Sequence, residues 1–132
     1  MNRRTFLISG LAAIVCLFTG CCESTNPLSD PADSALDKRL VGLWQYQHEG
    51  GAAYYHVGSL GRNAPKGVMQ LVMVGRSREG DIEKISQAVL FPTEIGAHTY
   101  LNLAEAEPEQ IAKIQKDGWK PGLLDSYVIL KY

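Results

Sequence analysis

The chain has 132 residues, 14.5 kDa of mass and 13 basic against 14 acidic side chains, a formal charge of -1. With 45% hydrophobic and 20% charged residues it has the composition of one small globular domain, which excludes a disordered or low-complexity chain. The near-neutral balance also excludes the basic footprint that nucleic-acid binding requires.

Residues 1–22 read MNRRTFLISGLAAIVCLFTGCC. Two arginines, Arg3 and Arg4, precede an apolar run from Phe6 to Phe18, which is 13 residues long and too short to span a bilayer, where roughly 17–25 are needed. This is the pattern of an export signal. Arg3-Arg4-Thr5-Phe6-Leu7 resembles the twin-arginine export motif, with Asn2 and Ile8 departing from its usual residues. Leu17-Phe18-Thr19-Gly20-Cys21 resembles a bacterial lipobox, which implies cleavage before Cys21 and acylation of that cysteine, palmitate included. Several acyl chains together give a firm membrane anchor. The expectation is a signal peptide over 1–20 and a cell-envelope lipoprotein on a bacterial outer or inner membrane. Taking Arg3 and Arg4 from the 13 basic residues leaves 11 against 14, so lipid rather than charge would hold the mature chain at the membrane. Cys16 leaves with the signal and Cys21 is modified, which leaves Cys22 and no disulfide.

Residues 21–37 are rich in Ser, Pro, Asp and Asn and predict a lipidated, flexible tether. A β domain follows over 38–132. Its predicted strands are Leu40–His48, Ala53–Leu60, Val68–Val74, Ile85–Phe91, His98–Leu103 and Tyr127–Tyr132, separated by Gly-containing turns. This rhythm predicts a mostly β antiparallel meander forming a small barrel or curved sheet. Val68 to Val74 are apolar on both faces, which predicts a central strand covered twice. One short helix is expected from Glu107 to Asp117, with Pro108 in its first turn, acidic residues at its start, Lys113 and Lys116 near its end and Gly118 beyond.

Gly42-Leu43-Trp44 opens the first predicted strand of the domain. Here the chain resembles the lipocalin-like (calycin) barrels, in which a Gly-x-Trp tryptophan closes one end. With Asp37 to Trp44, Phe91-Pro92-Thr93 and Tyr100-Leu101-Asn102, it is similar to uncharacterised lipocalin-like bacterial lipoproteins over about 95 residues. The resemblance implies that Gly42 and Trp44 close a barrel floor, with Trp44 buried against Tyr127–Tyr132. Six strands fall short of the roughly eight of a closed barrel, so an open or truncated version is expected.

Chemistry-bearing motifs are sparse. His48, His56 and His98 have no zinc-ligand spacing, Ser59 lies in a turn rather than a nucleophile elbow, and no glycine-rich phosphate loop occurs. No metal, cofactor or catalytic set is expected. The function predicted is therefore non-enzymatic binding or interaction, with a small apolar ligand or an envelope protein as partner. Tyr54, Tyr55 and Tyr100 are the candidate ligand-lining residues. The alternative is a small hydrolase-like enzyme using His48, Glu49 and His56 as acid and base.

Overall fold

The computed structural model describes residues 22–132, so the expectations placed on Arg3, Arg4, Phe6, Leu7 and Cys21 lie outside the described residues. Seven strands form one antiparallel sheet: β1 (Cys22–Ser24), β2 (Gly42–His48), β3 (Gly51–Ser59), β4 (Met69–Ser77), β5 (Ile82–Ile95), β6 (His98–Glu105) and β7 (Tyr127–Lys131). Their spatial order is β1-β7-β6-β5-β4-β3-β2, a meander that leaves β1 and β2 as free edges and does not close into a barrel. A short 3₁₀ turn (Pro31–Asp33) precedes β2, and one helix, α1 (Pro108–Asp117), lies between β6 and β7.

Because side chains alternate across a strand, the register assigns every strand residue to one of two faces. On the covered face Phe91 lies opposite Asn102, and Asn102 opposite Ile129, while Gln70 lies opposite Val89. The larger core cluster forms here: Val89, Phe91, Ala104, Tyr127 and Ile129 pack with Ile111 and Ile114 of α1 and with Leu60, Ala64, Val68 and Leu124. Phe91 is fully buried and meets Trp119 and Tyr127 edge-to-face, at ring separations of 6.0 and 6.4 Å.

Helix α1 forms where the sequence predicts it. Pro108 sits in the first turn, where its missing N–H costs no hydrogen bond, and the Gln110 side chain accepts from the Glu107 N–H at 2.8 Å. At the other end the Gly118 N–H donates to the Ile114 carbonyl. The Asn63 side chain, contributed by the β3–β4 loop, donates to the Gln115 and Lys116 carbonyls at 3.0 Å each. These contacts satisfy carbonyls that the helix itself leaves unpaired.

Two expectations are corrected, the first by the segment ahead of β2. Residues 22–37 are not a flexible tether. Cys22 to Ser24 pair with Ile129 to Tyr127 as the seventh strand, which the sequence reading lacks. The chain then docks on the covered face, where the Leu28 N–H donates to Asn102 Oδ1 at 2.8 Å and Ser29 hydrogen-bonds Thr93 at 2.6 Å. It rounds the strand ends at Gly67, where a Cβ would collide with Ser34, and carries Leu40 into the opposite side of the sheet. Polar residues here do not mark solvation; they supply the hydrogen bonds by which an irregular strap can pack.

The second correction concerns Trp44. No barrel floor exists for it to close. Trp44 lies on the edge strand β2, is 52% exposed, and donates from Nε1 to the Leu40 carbonyl at 3.0 Å. Tyr127 to Tyr132 are at the far side of the sheet from β2. Gly42 does bend the strand entry, with φ +146°.

Candidate binding face

The side of the sheet opposite α1 is built from the alternate residues of the same strands. Trp44 lies opposite Tyr55, and Tyr55 opposite Met73. The next row runs Val57, Leu71, Ala88, and the next Met69, Leu90, Leu103, Val128. Leu101 and Leu130 form a further pair. These ladders are apolar almost throughout, as a sheet surface packed by a second layer would be.

No second layer covers them among the described residues. Val57, Met69, Ala88, Leu90 and Pro92 are the strand residues buried on this side. The cluster around Val57, Met69 and Leu90 gains Leu71, Leu101 and Leu103 from the strands and a single side chain from elsewhere, Leu40 of the strap. Tyr55, Leu71, Met73, Leu101, Leu103, Val128 and Leu130 are half-buried, and Trp44 and Tyr46 are more than half exposed. Strand β4 is thus apolar on both faces, as read from the sequence, but apart from Met69 its side chains are only half-buried on either side, Val72 and Val74 as much as Leu71 and Met73; the double-cover expectation fails here. Five strands at about 4.8 Å spacing and about six residues at ~3.4 Å rise give this surface roughly 400–500 Å². That is within the range of the largest apolar patch on a typical monomer, which is often a functional one, and well short of the ~800 Å² each partner gives to a stable protein interface.

The rim is polar. His48, stacked on Tyr46 at 6.0 Å, and Lys84, opposite Gly75, border one end, and Glu105, opposite Ala88, borders the side. A second feature lies where the strap meets the C-terminus. Asp37 accepts from the Arg39 guanidinium at 2.7 and 3.0 Å and from the Tyr132 hydroxyl at 2.9 Å. The Arg39 hydrogen bonds hold the Asp37 carboxyl well below the usual carboxylate range. Burial and then donation to Asp37 push Tyr132 up to about 12. These groups border a groove of about 390 Å³ together with Ser29, Pro92 and Thr99. The Tyr132–Asp37 hydrogen bond clasps the strap to the end of the sheet, and Arg39, two residues along the strap, braces the Asp37 carboxylate.

The residues singled out by sequence scatter. Tyr55 is on the open face, while Tyr54, whose hydroxyl accepts from Gln45 at 3.5 Å, and Tyr100, packed on the main core, are on the covered side. Tyr54 and Tyr100 stand on strands separated by two others, so the three tyrosines line no common cavity. His48 and His56 fall on opposite faces of the β2–β3 ladder, and His98 begins β6. Among the described residues no group of His, Cys, Asp and Glu is placed to hold a metal ion, and no helix is long and apolar enough to cross a membrane. The half-buried leucines and Met73 of the open face are absent from the sequence-derived list. Their signal was the doubly apolar β4, read there as burial.

Comparison with known proteins finds no matching family model, no matching curated protein and no matching solved structure.

Proposed function

We propose that this protein is a non-enzymatic, lipid-anchored binding protein of the bacterial cell envelope, and that its open sheet face takes an apolar ligand of the acyl-chain class. One observation carries the ligand reading: a continuous ladder of Trp, Tyr, Met and Leu side chains on one side of the sheet is left half-buried or exposed, with no second layer over it among the described residues. Aromatic rings supply broad contact area and Met73 a pliable surface, a combination that accommodates flexible chains. The area suits such a ligand better than a folded protein. The anchor rests on the lipobox-like Leu17 to Cys21, and loss of acyl labelling in Cys21→Ala checks it independently.

Trp44 supplies the test. In a Trp119→Phe background it is the sole tryptophan, and it lies on the open face at 52% exposure. Titration with a long-chain fatty acid should shift its emission to the blue as water leaves the indole, and Leu71→Glu, which sets a charge in the middle of the face, should abolish the shift. An emission spectrum that stays fixed through saturating fatty acid overturns the ligand assignment.

A further inference from the structure

We infer that strand β2 is a self-pairing edge through which two copies of this chain join their sheets. The observation is independent of any ligand. Among the described residues strand β2 hydrogen-bonds only to β3, so its other side presents a row of backbone groups unpaired there. Natural sheets blunt such edges with charges, proline, bulges, short length or a covering loop. Among the described residues strand β2 uses none. It runs seven residues as Gly-Leu-Trp-Gln-Tyr-Gln-His, with no charged residue and no proline, and with six of its seven residues exposed. Its ladder with β3 is in continuous register from Gly42 to His48, without a bulge.

The occupant follows from the residue pattern. Antiparallel pairing of β2 with a second β2 about a two-fold axis through Gln45 sets Gln45 opposite its own copy. Trp44 then faces Tyr46 of the second copy, and Tyr46 faces Trp44. Leu43 meets Gln47 and Gly42 meets His48. Cross-strand aromatic pairs of this kind are among the favourable ones on a sheet, and no like charges oppose each other anywhere in the match. Such a two-fold contact is self-complementary and closes at two copies. The axis stands perpendicular to the sheet, so Trp44 and Tyr46 of both copies lie on the same side and continue the open face across the junction.

Sedimentation velocity on the full chain in detergent, over a rising concentration series, tests the pairing. The expected result is a reversible monomer–dimer equilibrium. Gln45→Lys places two ammonium groups opposite each other at the axis, and Gln45→Glu two carboxylates, so each should weaken association about tenfold or more. An equimolar mixture of the two variants should restore or exceed wild-type association, because the mixed dimer pairs opposite charges. Gln45 is exposed, and an unchanged denaturation midpoint shows that each variant is folded. A wild-type chain that stays monomeric throughout the series overturns the inference. So does a Gln45→Lys chain that associates as wild type, or a mixture no tighter than its components.

Discussion

Trp44 and Phe91 are both large aromatics on strands of one sheet, and the structure gives them opposite roles. Phe91 is fully buried between Trp119, Tyr127 and α1, whereas Trp44 stands 52% exposed at an edge. Truncating Phe91 to alanine should cost about 3–5 kcal/mol, the range for emptying a buried aromatic site. Trp44→Ala loses only the half of its surface that is out of water, about 2–3 kcal/mol by area, together with its hydrogen bond to the Leu40 carbonyl. Denaturant midpoints of the two variants measure the difference. A Trp44→Ala loss equal to that of Phe91→Ala would mean that Trp44 is enclosed after all. Asn102 shows the same point from the polar side. It is fully buried, yet its amide donates to Phe91 O and Thr93 Oγ1 and accepts from the Leu28 N–H, so each polar atom is paired and the strap is fixed by it.

The strap joins elements that are far apart in sequence, and its clasp is titratable. Asp37 ionises far below its ordinary range, so its contribution is fully present above the unfolded value of about 3.9 and is lost as pH falls below it. Tyr132 is raised to about 12, so its contribution holds below the unfolded value of about 10 and is lost as pH rises from there through 12. The clasp's contribution to the denaturant midpoint should therefore be constant between these limits, and Tyr132→Phe should remove part of the alkaline decline. A variant whose alkaline decline equals that of wild type would show that the clasp is not made. At this scale the sequence was unevenly readable. Helix α1 was legible because its proline, its charges and its terminal glycine are local signals. Strands β2 to β7 were legible from alternation and turns, although β5 extends at both ends beyond its apolar run. The strap and β1 were not, since Ser29, Asp37 and Cys22 to Ser24 acquire their order only from Thr93, Tyr132 and β7, partners tens of residues away. The open face was illegible for a related reason. Periodicity reports which residues share a face, and the absence of a covering layer is a property of the whole chain.

Across the molecule, packing is graded. The covered face concentrates its buried side chains on β5, β6, β7 and α1, while β2 has none and is bonded on one side only. Local opening free energy follows such gradients, from near zero at exposed edges up to the global value in the core. Amide hydrogen exchange should accordingly be slowest at β5 and β6 around Phe91 and Asn102, intermediate through β4 and β3, and fastest along β2. The N-terminal strap should not exchange as a free tail. Leu28 N–H is bonded to a fully buried side chain, so its amide should be protected well above those of the neighbouring exposed residues. The edge provides a further discrimination. In a monomer the outward amides of β2 exchange freely at every concentration, whereas pairing of two copies covers them, so their protection should rise with concentration while that of β5 stays constant. Uniform protection from β2 to β7 would contradict the graded core, and a β2 whose exchange ignores concentration would count against the paired edge.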